Sequence, residues 1–292
     1  MSRVPKALIV VGLAVAVFAA IHLQCGMARD QSDDPGALKN SMMQLYQKGK
    51  FGEAALLAER YAEVTRARYG DATPQYASAL CDWAGMLQNA NQLAEAEPLY
   101  RRALTIYETN LGRDHPDVAI VLDNLAVLLA ADNRLTQAEP LMRRALTIDE
   151  KNLGPDHPDV ATRLHNLAAL LEGTNRLSEA EPLYRRALSI DEKILGPDDP
   201  GVGSDLNNLA GLLRATNRLA EAVPLMRRAV SIDEKNFGPD HPNFAFRLNN
   251  LAELLRTMNR FTEAEPLYRR VLAINEKTLG NEHPMLPPRS TI

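Results

Sequence analysis

PDVAIVLDNLAVLLAADNRLTQAEPLMRRALTIDEKNLGPDH, residues 116–157, decides the fold, because a recognisable copy of it begins again at Pro158. Val118, Ala119, Leu122, Leu125, Ala126 and Leu129 advance by steps of 1, 3, 3, 1 and 3, the spacing of one face of an α-helix. Pro116 suits the first turn of that helix, where a missing N–H leaves nothing unbonded. Asn133 tolerates the left-handed conformation that ends helices and predicts a corner. Leu135, Ala138, Leu141, Met142, Ala145 and Ile148 then form a second helical stripe. Thr136 with Glu139 has the spacing of a capping box at its start, as do Ser178 with Glu181 and Thr262 with Glu265. Gly154 followed by Pro155 ends it. One period is therefore two helices and two short turns.

Working outward, His-Pro recurs at His115-Pro116, His157-Pro158, His241-Pro242 and His283-Pro284, always in a 42-residue frame that Thr73-Pro74 and Asp199-Pro200 complete. The corner Asn recurs at Asn91, Asn175, Asn217 and Asn259, and the terminating Gly at Gly112, Gly196, Gly238 and Gly280. An earlier, degenerate copy fits residues 36–73, since Phe51, Glu53 and Ala54 stand one period before Leu93, Glu95 and Ala96. A strict period means one unit copied and stacked, each copy packing on its neighbours, with an extended surface as the product. Such a surface points to binding and away from catalysis.

Small residues at Ala126, Ala138 and Ala145, with Leu knobs between them, resemble the tetratricopeptide repeat (TPR). More narrowly, Asn124-Leu125-Ala126, Gln137-Ala138-Glu139-Pro140-Leu141, Arg143-Arg144-Ala145-Leu146 and Gly154-Pro155-Asp156-His157-Pro158 resemble the 42-residue repeats of kinesin light chains. The resemblance covers residues 74–283. It implies an all-α, right-handed superhelical solenoid of about six antiparallel helix pairs, whose first helices line a concave peptide-binding groove. It does not imply a motor partner.

Composition agrees with close-packed helices: 46% of residues are hydrophobic but only 5% aromatic, so the core is built of Leu and Ala. The 33 basic residues are interleaved with 37 acidic ones for a net charge of -4, which argues against a nucleic-acid partner. Residues 1–28 differ from the rest. Arg3 and Lys6 precede the apolar run Ala7 to Ile21, the order of a secretory signal, and Gly26 and Ala28 supply small residues for cleavage after Ala28. The run is short for a spanning helix of about 20 residues, and the expectation is an exported protein, periplasmic or extracellular, with this segment either cleaved or kept as a membrane anchor. Cys25 lacks the small preceding residue of a lipidation site. Residues 29–35 then form a linker and 284–292 a tail, where Pro287-Pro288 abort a further repeat.

The candidate site follows from the family's groove positions. Asn124, Asn166, Asn208 and Asn250 form one row after Asp82, and His165, Asn207 and Asn249 lie beside it after Cys81 and Asp123. Asparagine offers donor and acceptor together, so such a ladder can pair with the backbone of an extended peptide, or else tie neighbouring helices together. Arg163 and Arg247, with Arg214 and Arg256, add positive charge suited to acidic ligand residues. Gly201, Gly203 and Gly211 make the helix after Pro200 the softest of the array, by hinge design or by drift.

Other signals mimic chemistry. The histidines of the His-Pro pairs are spaced one repeat apart and cannot converge on a metal, so they read as helix caps. Acids such as Asp149-Glu150 and Asp191-Glu192 read, with the Arg pairs, as solvated faces. Trp83 takes the core position of Leu125. No phosphate loop or nucleophile elbow occurs, and no metal or cofactor is called for. The functional reading is a non-catalytic scaffold for a protein or peptide. The alternatives are a membrane-tethered assembly factor working through the solenoid ends, with self-association through an apolar strip at Leu267, Val271 and Ile274, or a cytosolic adaptor.

Overall fold

The computed structural model describes residues 34–279, all of whose regular structure is α-helical. The chain divides into two compact units, with the boundary between Asp132 and Asn133. The first unit holds α1 (Pro35–Gln47), α2 (Phe51–Tyr69), α3 (Pro74–Asn89), α4 (Leu93–Leu111) and α5 (Pro116–Ala131). The second holds α6 (Leu135–Leu153), α7 (Pro158–Gly173), α8 (Leu177–Ile194), α9 (Pro200–Ala215), α10 (Leu219–Phe237), α11 (Pro242–Thr257) and α12 (Phe261–Leu279). The leader and tail read from the sequence, Cys25 and His283 included, lie outside the described residues. Among the described residues no helix is long and apolar enough to cross a membrane.

The turns explain the period. At the end of α7, Asn175 adopts φ 60° and donates its N–H to Glu172, while the N–H of Arg176 reaches back to the carbonyl of Leu171. That pair of bonds is a Schellman motif, which asparagine enters with little strain. The other corner carries Gly154 or Gly238 at φ 91° and 86° with ψ near 160°, a region open essentially to glycine alone. Each following helix opens with proline behind a capping side chain. Nδ1 of His115, His157 and His241 accepts the backbone N–H two residues on, at 3.1–3.2 Å, and Asp199 Oδ1 does the same for Gly201 at 2.7 Å.

The expected capping boxes do not form. The corner turns place Arg134 and Arg176 at the N-cap positions of α6 and α8, without a side-chain cap, and Thr136 and Ser178 fall two residues inside. Glu139 and Glu181 turn outward: each accepts from the arginine four residues on, Arg143 or Arg185, and from the next corner's Arg176 or Arg218 at 2.6 Å. Glu265 likewise pairs with Arg269. The motif is a clamp between repeats, not a cap.

In the first unit alanines let helices approach closely, as with Ala54, Ala58 and Ala62 of α2, all buried. Trp83 is only half-buried there, whereas Leu125, one period on, is fully buried. In the second unit each core cluster joins three consecutive helices, for example Val202, Leu206, Ala229 and Ile232 with Leu188 and Leu225. The strip expected to be bare on α12 is not: Ile274 is buried, and Leu267 and Val271 pack against the cluster it forms with Phe244, Ala245 and Leu248.

Candidate peptide-binding face

Three layers build the candidate face of the second unit. The deepest consists of charges. Arg163 on α7 donates from Nε to Asp149 on α6 at 2.9 Å, and Arg247 on α11 to Asp233 on α10 at 3.0 Å, the arginines being 8% and 9% exposed. Burial holds both carboxyls above the usual range in spite of their arginines. Arg163 and Arg247, expected as cations offered to a ligand, are thus consumed inside helix junctions, because their side chains point back along the array. Asp149, read as solvated, is buried, and so is Asp233. The missed signal was an acid followed fourteen residues later by an arginine.

Above the charges lies a row of amides. Asn250 on α11 donates to Asn207 Oδ1 at 2.8 Å, Asn207 to Asn208 Oδ1 at 3.3 Å, and Asn208 on α9 to Nε2 of His165 on α7 at 3.0 Å. With Nε2 accepting, the imidazole proton sits on Nδ1, which faces Asp205 Oδ1 at 3.3 Å. The four polar side chains form one relay that ties α7, α9 and α11 side by side. They therefore do the structural task, while each asparagine keeps capacity for further hydrogen bonds. The His165 ring also meets Tyr184 edge-on, with centroids 5.4 Å apart.

The outermost layer is a hollow of about 120 Å³ between α9 and α11, lined by Asn207, Asn250, Gly211, Arg214, Met226 and Leu254. A Cβ on Gly211 would meet nothing within 4 Å, so this glycine widens the hollow where the same position of α11 carries Glu253. Arg214 is exposed at its edge, whereas Arg256 is paired with Glu253 at 2.7 Å. Asn249 lines a second hollow with Phe246 and Val271. Asn166 on α7 is half-buried, and so is Asn124, on α5 of the first unit. Burial pushes the Cys81 thiol up to about 12, which disfavours the thiolate that a nucleophile needs.

The tetratricopeptide repeat profile matches residues 75–151, 124–193, 179–235 and 202–277. A Podosopora anserina protein described as a kinesin light chain with nearly identical TPR-like repeats is 26% identical, with a TM-score of 0.64 over 70% of this chain and 97% of its own. BtubC (BKLC) from P. vanneervenii, at 24% identity, gives 0.66 over 88% and 97%, and Pseudomonas aeruginosa pilF, at 17%, gives 0.55 over 87% and 95%. These last two share the fold. No curated protein matches the chain. Tetratricopeptide repeats are typically non-catalytic scaffolds for protein interaction, and the chain belongs to the tetratricopeptide repeat family, with repeats similar to those of kinesin light chains.

Proposed function

We propose that this protein is an exported, non-catalytic scaffold that holds an extended peptide segment of a partner along the first-helix face of its second unit. The observation that carries the reading is the amide row Asn207, Asn208 and Asn250 beside the hollow opened by Gly211. Paired amides can match the alternating donors and acceptors of an extended backbone without reading its side chains. Arg214 at the edge of the hollow favours an acidic residue next to a small apolar one. Export rests on the charge and apolar order of residues 1–28.

Fluorescence anisotropy with a set of twelve-residue extended peptides, acidic, neutral and basic, tests the reading. Acidic peptides should bind best, and Asn207→Ala with Asn250→Ala should weaken them at least tenfold, about 1.4 kcal/mol, with helix content retained. Equal binding by the double variant, or no binding by any peptide to the wild type, defeats it. For export, N-terminal sequencing of the protein from the secreted fraction should start at Arg29, and a chain found only in the cytosol overturns that part.

A further inference from the structure

Helix junctions in the second unit share one register, an acid on the second helix of a pair and its partner fourteen residues on. Asp149 meets Arg163 there, and Asp233 meets Arg247. Between them the same two positions hold Asp191 on α8 and Asp205 on α9, so an acid stands where both neighbours have a guanidinium. Asp205 is 6% exposed; its Oδ1 faces His165 Nδ1 at 3.3 Å, and its Oδ2 is buried with no hydrogen-bond partner. A buried lone oxygen of this kind is destabilising unless a donor reaches it. An O–H on Asp191 would supply the missing donor.

The surrounding charges do not replace it. Asp199, the cap of α9, adds a further negative charge near Asp191. From α7, His165 favours the ionised form of Asp191, but its Nδ1 is turned to Asp205. From α8, burial keeps the Tyr184 hydroxyl neutral, and it bonds Glu172. On α10, Asp233 Oδ1 lies 3.2 Å from where a Gly203 side chain would begin, and its counter-charge is the Arg247 of α11, which also donates to Ser204 on α9 at 2.7 Å.

We propose that Asp191 and Asp205 share one proton, a clasp that fastens α8 to α9 as the Asp–Arg pairs fasten the neighbouring junctions, and that releasing this proton to water loosens α9. Burial first, and then Asp205, push the Asp191 carboxyl up from 3.8 to about 6. The sign follows. The native chain holds a proton that the unfolded chain has lost, so stability is full below pH about 4 and declines as pH rises through about 6. The clasp is thus closed in mildly acidic surroundings and open at neutral pH. Asn207 and Asn208 sit on the same helix as Asp205, which puts the amide row under its control. The clasp itself does not depend on the peptide-binding reading.

Hydrogen exchange of the full chain, corrected for intrinsic rates, is the test. Between pH 5 and 7.5 the protection of residues 202–213 should fall about tenfold relative to residues 160–171 and 244–255. Asp191→Asn, which keeps a donor and cannot ionise, and Asp205→Arg, which installs the neighbouring pairing, should both abolish the change. Should either variant misfold, carboxyl ¹³C titration of the wild type decides: Asp191 should titrate well above the exposed aspartates. Protection of the wild type independent of pH, or Asp191 titrating with the ordinary carboxylates, overturns the proposal.

Discussion

One structural position is closed differently in the two units. In the first unit, α4 and α5 carry buried Tyr107 and Val121 where, in the second, α6 and α7 carry Asp149 and Arg163, and α10 and α11 carry Asp233 and Arg247. Both solutions bury their side chains and hold a second helix against the following first helix. The uncharged one gains mainly from burial, which also keeps the Tyr107 hydroxyl neutral. The ionic one must balance desolvation against attraction, and it fails badly when half of it is removed. The difference teaches that these junctions of the second unit depend on keeping two opposite charges together, whereas the first unit's junction does not.

The comparison breaks most visibly where a charge loses its partner. Arg247→Ala, which strands Asp233 and unties Ser204, should cost about 3–5 kcal/mol in urea unfolding, whereas replacing Asp233 and Arg247 together by Leu and Met should be near neutral. A single variant as stable as the wild type would mean that the pair is not buried in solution.

Glycines sharpen the contrast at an intermediate scale. A Cβ on Gly203 would stand 3.2 Å from both Asp233 Oδ1 and Ile232 Cγ2, but one on Gly211 would meet nothing. Gly211→Ala should therefore stabilise by up to about 1 kcal/mol through helix propensity, and Gly203→Ala should lose that gain to crowding. The softness read from three glycines on α9 thus divides into a close approach at Gly203 and an open surface at Gly211. Equal Tm shifts for the two substitutions would remove the distinction.

The smallest effect belongs to the clamps on the exposed corners. Arg176 joins Glu139 of the preceding repeat to Glu179 of its own, and the two carboxylates are held below their usual range by its hydrogen bonds. Arg176→Gln should lower Tm by about 2 °C in dilute buffer, and the loss should shrink in 1 M salt, as for exposed ion pairs. A salt-independent loss would show that packing of the side chain, not charge, holds the corner.

How far the sequence could be read depended on the distance over which each residue acts. The helices and both kinds of corner follow from bonds between residues at most five apart, so the 42-residue period, the asparagines at positive φ, the histidine caps and the family were legible in the order of residues. Thr136 and Ser178 misled because the corner motif takes the N-cap position first. What tertiary structure alone decided was which polar groups lie under a neighbouring helix. Arg163, Arg247, Asp149 and Asp191 look like surface charges in a linear pattern, and they are buried or half-buried because a helix junction covers them. The asparagine row was visible as a row, but its bonds from Asn250 to His165 exist only because α7, α9 and α11 lie side by side, a packing outcome that no local spacing specifies.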